Sequence, residues 1–210
     1  MTGQKIHIID YGMGNLWSVA SAFNYVGAES IITSDPEVIC NAEILVLPGV
    51  GSFFKAMTTL NQSGLSESIK TAVRGRGSKI LGICLGMQLF GSHGTEDGQI
   101  EGLNFIPKTV NRFTSEEVQA AKIPHIGFNL VKTANCPRLM ASLPAETDFY
   151  FVHSFRMLAE GLENKSALCN YGIDFMAAYE DANIFACQFH PEKSQSNGLR
   201  VIKNFLEAVC

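Results

Sequence analysis

The stretch that most limits how this chain can fold is Lys79-Ile80-Leu81-Gly82-Ile83-Cys84-Leu85-Gly86-Met87-Gln88-Leu89-Phe90. It begins as an apolar run rich in β-branched residues and passes through glycines two before and two after a cysteine. It then resumes as an apolar run of good helix formers. That pattern predicts a buried strand, a sharp turn and a helix start, with Cys84 at the apex. The flanking glycines let strand and helix close tightly and keep side chains away from the middle residue. A Gly-x-Ser-x-Gly elbow exposes a nucleophile above a sheet by the same geometry. Taken alone, the stretch fits equally a structural cysteine in a core strand, since free cysteine is commonly buried.

Composition narrows the class. The chain has 210 residues, of which 46% are hydrophobic, enough to bury one sizeable core as a single domain over residues 1–210. A formal charge of -4 and the lack of any Lys/Arg run argue against a nucleic-acid face. Met1-Thr2-Gly3-Gln4-Lys5 passes straight into an apolar Ile6-His7-Ile8-Ile9, without the pattern of a signal peptide. No apolar run reaches membrane-spanning length. Six cysteines, at 40, 84, 136, 169, 187 and 210, include no C-x-x-C pair. That spacing speaks against a zinc site and a disulfide framework, and a reducing cytoplasm is the expected location.

Strands are expected at 6–10, 30–33, 43–47 and 79–83, with helices between them, the last of these over 60–74. This alternation predicts a parallel sheet with right-handed crossovers. Leu16, Val19, Ala20 and Phe23 form one stripe of the first helix. Gly12 and Gly14 precede it, but Trp17 stands where a dinucleotide fingerprint needs its third glycine. Pro48-Gly49-Val50-Gly51-Ser52-Phe53 makes another glycine-rich turn at a strand end, where α/β folds gather ligands and where successive N–H groups can face an anion. From 100 to 131 the helical period is lost. A further strand is expected at 149–155, then strands of an antiparallel excursion at 167–169 and 175–179, followed by one at 184–189. A closing helix is expected to share Leu199, Ile202, Phe205, Leu206 and Val209 on one face. The fold class expected is α/β, a flavodoxin-like open, mostly parallel sheet flanked by helices.

Gln188-Phe189-His190-Pro191-Glu192-Lys193 supplies a second chemical element. Pro191 disfavours helical angles at His190, so the segment is expected to be extended, projecting His190 and Glu192 to one side and Lys193 to the other. A carboxylate that orients an imidazole, which deprotonates a thiol, is triad logic.

Gly82-Ile83-Cys84-Leu85-Gly86-Met87-Gln88, Pro48-Gly49-Val50-Gly51 and Phe189-His190-Pro191-Glu192 together resemble the triad, or class I, glutamine amidotransferases. Ile9-Asp10-Tyr11-Gly12-Met13-Gly14-Asn15, Pro124-His125-Ile126-Gly127 and Tyr150-Phe151-Val152-His153-Ser154 add similarity to the glutaminase subunits of imidazole glycerol phosphate synthase, with the blocks in the same order. The resemblance implies hydrolysis of L-glutamine to glutamate and ammonia, without a cofactor or metal. Cys84 would be the nucleophile, His190 the base and Glu192 its orienter. Gly49, Val50 and Leu85 would form the oxyanion hole, and Gly51, Gln88, His153, Ser154 and Phe155 would bind substrate. It also implies a heterodimer with a (β/α)₈-barrel synthase subunit of histidine biosynthesis, docked over Asn15, Pro124, Phe128 and Lys193. Two positions depart from the family: Phe128 replaces the common Trp, and Phe155 the usual Tyr. Paralogues that supply ammonia to a sugar-modifying enzyme of surface-polysaccharide biosynthesis are the alternative.

Overall fold

The computed structural model describes residues 4–119 and 121–209. Met1, Thr2, Gly3, Ala120 and Cys210 lie outside the described residues. Within the described ones no helix is long and apolar enough to cross a membrane.

The first half alternates as expected. Strand β1 (Lys5–Ile9) leads to helix α1 (Leu16–Tyr25), β2 (Glu29–Thr33), α2 (Pro36–Asn41) and β3 (Ile44–Gly49). The glycine turn then opens α3 (Phe53–Gln62), followed by α4 (Leu65–Lys70), β4 (Lys79–Cys84) and α5 (Leu85–Leu89). Asp35 and Ser52 cap α2 and α3 by accepting from backbone N–H groups of Glu37 and Lys55. The single helix expected over 60–74 is instead broken. Gly64 sits at φ +76, a left-handed stop for α3, and the chain restarts as α4 before a wider π turn over Thr71–Gly75.

Beyond α5 come short strands β5 (His93–Gly94), β6 (Ile100–Glu101) and β7 (Thr109–Arg112), then helix α6 (Ser115–Val118). The excursion follows as β8 (His125–Lys132), β9 (Glu146–His153), β10 (Phe155–Arg156), β11 (Ser166–Tyr171) and β12 (Ile173–Asp181). Strand β13 (Ile184–Cys187) returns to the sheet centre, and α7 (Gln195–Glu207) closes the chain. Val209, expected on the face of that helix, is 82% exposed. The helix stops two residues earlier, and Ala208 is extended at φ -61, ψ 127, which carries Val209 off the stripe.

The main sheet runs β2-β1-β3-β4-β13-β12-β11-β8-β9, and β10-β7-β5-β6 form a smaller one. Pairing is parallel from β2 through to β13 and antiparallel from β13 to β9. Every residue of β3 and β4 is buried, as a strand covered on both faces requires. Alternate residues serve two apolar layers: Leu81 and Ile83 join Ile6, Ile8 and Phe205 on one face, while Ile80 joins Leu45, Leu47 and Phe53 on the other. The carboxyl ends of β3 and β4 lie side by side, with Gly49 paired to Cys84.

Candidate active site

The elbow forms where strand becomes helix. Cys84 ends β4 and precedes α5, with φ 54 and ψ -109, a backbone region rarely occupied by a residue with a side chain. Gly82 and Gly86 make it possible through space rather than through positive φ. A Cβ on Gly86 would stand 1.7 Å from the Leu47 carbonyl oxygen, and one on Gly82 would meet the Phe90 ring at 2.7 Å and Gly86 backbone at 2.9 Å. The glycines therefore let α5 lie directly on β3 and β4.

Cys84 and His190 line one pocket of about 350 Å³, together with Val50, Gly51, Leu85, Gln88, His153, Ser154 and Phe155. Of the residues expected in the site, Gly49 sits just behind this wall, in register with Cys84. Pro124, expected on a docking face, is part of the pocket lining itself.

His190 and Glu192 are brought together, but not by an extended segment. His190 is extended at φ -98, ψ 98, whereas Pro191–Lys193 form a turn of 3₁₀ helix. Pro191 fits the first position of such a turn because it has no N–H to satisfy there. The Lys193 N–H donates to the His190 carbonyl at 3.0 Å, and Ser194 Oγ donates to the same oxygen at 2.7 Å. The turn bends Glu192 back so that its Oε1 lies 2.8 Å from His190 Nδ1, with both side chains almost fully buried. Burial disfavours a charged imidazole, yet the neighbouring Cys84 and the hydrogen-bonded Glu192 overcome it and raise His190 to about 10. His190 Nε2 and Glu192 Oε2 are buried without a hydrogen-bond partner among the described residues.

Three polar side chains missing from the sequence expectations also hold this end of the molecule. Gln188, fully buried, places Nε2 3.8 Å from the Cys84 sulfur and accepts at Oε1 from Gln88 Nε2 at 3.1 Å. A buried glutamine closing an apolar strand was the available signal. Glu96 lines the pocket and accepts from the Phe53 N–H at 3.0 Å; partial burial raises its pKa. His125 Nδ1 lies 3.0 Å from His153 Nε2, and His153 Nδ1 lies 2.8 Å from the Phe155 carbonyl oxygen. That carbonyl can only accept, so His153 donates to it, and His125 donates to His153 in turn. Burial pushes His125 down to about 4 and, with further contributions, His153 to about 3, so both imidazoles are neutral. Gln88 Nε2 also donates to the Phe155 carbonyl, at 3.0 Å, so the histidine pair and the elbow helix grip the same stretch of pocket wall.

The residues expected on a docking face line two places that Lys193 joins. Asn15 and Lys193 line a small cavity behind the pocket, with Pro48, Gly49, Val50, His190 and Glu192. Phe128 is about half exposed on β8, its ring 5.6 Å from that of Tyr150, and Lys193 Nζ stands 5.8 Å from the centre of the Tyr150 ring.

The model of the class-I glutamine amidotransferase family matches residues 7–209. The chain belongs to that family. Among relatives of this amidotransferase, the imidazole glycerol phosphate synthase subunit HisH of Geobacter sulfurreducens is 45% identical over 206 residues, covering 97% of this chain and 98% of that protein. The subunit HisH 1 of Campylobacter jejuni strain RM1221 is 46% identical over 201 residues, 96% of this chain and 98% of that one. A solved structure of PurLQS from Thermotoga maritima matches the fold with a TM-score of 0.72 at 14% identity, over 99% of both chains. The glutaminase domain of Trypanosoma brucei CTPS matches with a TM-score of 0.65 at 15% identity, over 98% of this chain and 92% of that one.

Proposed function

We propose that this amidotransferase is a glutaminase subunit that hydrolyses L-glutamine and passes the ammonia to a partner synthase of the imidazole glycerol phosphate type, in histidine biosynthesis. The observation that carries the reading is the buried His190–Glu192 pair sharing one pocket end with Cys84 at a strained elbow. The names of the relatives support the pathway.

In this reading the Cys84 sulfur, its proton held by His190, attacks the side-chain carbonyl carbon of glutamine. The tetrahedral oxyanion is stabilised by N–H groups of Leu85, at the start of α5, and of the Gly49–Val50 turn. The C–N bond breaks as His190 returns its proton to nitrogen, releasing ammonia and leaving a γ-glutamyl thioester. Water then attacks the thioester with His190 as base, giving glutamate and the free thiol. Glu192 holds the imidazole in orientation and offsets its charge while it carries the proton. At the far end of the pocket, Glu96 is the anion available for the ammonium group of the amino acid, and Gly51, Ser154 and Phe155 border the remainder. The whole chain acts as one unit, and a (β/α)₈-barrel subunit covers the open side. Free ammonia released into water would be protonated and lost to the acceptor, so a closed path between the two sites is required.

Incubation with a glutamine-mimicking electrophile, followed by peptide mass mapping, tests the reading. One adduct on Cys84 with loss of glutamate release is expected; an adduct on Cys169 or Cys187 instead would sink it.

A further inference from the structure

One polar atom next to this site is left without a purpose by the chemistry above. Tyr11, in the turn after β1, is 5% exposed, and its hydroxyl is fully buried with no hydrogen-bond partner among the described residues. Buried phenols find partners as a rule, and each exception calls for an explanation. Burial, together with the charge of nearby Cys84, pushes the phenol far above its usual range, so it remains a donor at every working pH.

The hydroxyl stands against one piece of main chain. A Cβ on Gly49 would lie 2.0 Å from it, closer than any real contact. Gly49 is thus the residue that lets backbone touch the phenol directly. From other sides the same glycine is approached by Leu85 and Gly14: its added Cβ would meet Leu85 Cβ at 3.1 Å, and its Cα lies 3.6 Å from the Cβ position of Gly14. Beyond it the restraint ends. Val50 is about half exposed, and Gly51 has φ +102, so the Gly49–Val50 peptide sits where β3 stops, with a glycine on each side. Val50 and Gly51 face the pocket, whereas Tyr11 is not part of its lining.

We propose that Tyr11 is a positioning residue for the oxyanion turn: its hydroxyl, unpartnered in the resting chain, donates to the Gly49 carbonyl when the Gly49–Val50 peptide turns its N–H toward the pocket. The N–H and C=O of one peptide unit point in opposite directions. If the Val50 N–H faces the reacting oxygen, the Gly49 carbonyl faces away from the pocket, and Tyr11, against Gly49 and outside the pocket lining, is the buried donor beside that peptide. The orphaned hydroxyl makes the resting arrangement less favourable, and the hydrogen bond rewards the arrangement that stabilises the oxyanion. Tyr11 thereby biases a two-state turn without touching substrate. This inference rests on the proposed glutaminase reaction at Cys84.

Tyr11→Phe separates this role from a structural one, because the two predict opposite signs. Removing an unpaired buried hydroxyl leaves thermal stability unchanged or raised, and in the full chain with its barrel synthase subunit bound kcat for glutamine falls at least tenfold with KM within twofold. An unchanged kcat overturns the proposal. So does a lowered melting temperature, which would mean that the hydroxyl is already bonded at rest. Electrophile labelling of Cys84 is run on both proteins. If the wild-type chain itself is not labelled there, the glutaminase reading fails; if it is labelled and kcat of Tyr11→Phe is intact, only the role of Tyr11 fails.

Discussion

Strands β4 and β8 belong to one sheet and obey opposite rules. All six residues of β4 are buried, and its side chains serve the apolar layers on both faces. On β8 the pattern is inverted relative to an ordinary half-exposed strand: Ile126, Phe128 and Leu130 point outward at 60%, 49% and 55% exposure, while His125 and Asn129 point in. The inward polar groups are satisfied by one another and by main chain, through the His125–His153 bond and from Asn129 Nδ2 to the Asn170 carbonyl at 3.0 Å. An apolar stripe turned to solvent along a strand is a surface that awaits cover. The contrast sets a strand covered on both faces, at the end that carries the proposed chemistry, against one whose apolar stripe is left open, where the proposed reading puts the partner.

The largest effect tests the covered end. Cys84→Ala should lower glutamine turnover by about four to six orders of magnitude, as loss of a nucleophile does elsewhere. Melting temperature should change little, since Cys84 is at the pocket edge of the core. Retained turnover, read as glutamate release, would remove β4 from the chemistry and erase the contrast with β8.

Next in size is the inequality within the buried pair. His190→Ala should approach the loss seen for Cys84→Ala, whereas Glu192→Gln should be about a hundredfold less damaging. The amide can still accept from Nδ1 but cannot offset the charge on the imidazole. Equal losses, with the fold intact by circular dichroism, would mean that Glu192 acts more directly than an orienter.

How much of this was legible in the sequence follows from the same contrast. The elbow could be read because glycines, apolar strand and helix formers agree locally on one answer. The His190–Glu192 pairing was also readable, although by the wrong geometry: Pro191 starts a 3₁₀ turn rather than holding an extended segment. Gln188, Glu96, Tyr11 and the His125–His153 bond were not readable. Their roles depend on strands distant in sequence being brought side by side, as β8 and β9 are. The break at Gly64 is hidden in the sequence because the apolar period continues across it.

A smaller and more general effect comes from the buried histidines of the excursion. Burial holds His125 and His153 down, to about 4 and about 3, below the ordinary value of 6.5. Between those values the unfolded chain binds more protons, so their contribution to stability is lost as pH falls below 6.5. His190 works the other way: its raised pKa adds stability that is full below 6.5 and lost as pH rises toward about 10. From pH 7 to pH 5 the pair should dominate, costing on the order of 3 kcal/mol. Thermal melts across that range should show the slope, and His125→Gln should flatten it. An unchanged slope would mean that the histidines are not held neutral, and that the inward side of β8 is looser than described.

The smallest effect concerns the outward side of β8 and its neighbour Lys193. Lys193 is exposed, with Nζ over the Tyr150 ring, and Phe128 packs edge-on against that same ring, so the three form one continuous surface from the turn after His190 to the stripe on β8. Lys193 also borders the small cavity behind the buried His190–Glu192 pair, which ties this surface to the candidate site. A solvent-exposed lysine over an aromatic face contributes little to folding, and exposed charges are worth roughly 0–1 kcal/mol. Covered by a partner that presents a carboxylate, the same charge gains a desolvated counter-ion, and truncating it costs a few kcal/mol. Lys193→Ala should therefore leave the melting temperature of the isolated chain within about a degree while weakening affinity for the barrel subunit at least tenfold by calorimetry. Phe128→Trp enlarges the apolar part of the same surface and should shift that affinity by a smaller factor. If Lys193→Ala instead stops hydrolysis in the isolated chain and leaves partner affinity intact, the lysine serves the catalytic pair through the shared cavity. The boundary between the covered end and the docking face would then have to be redrawn on the other side of the 191–193 turn.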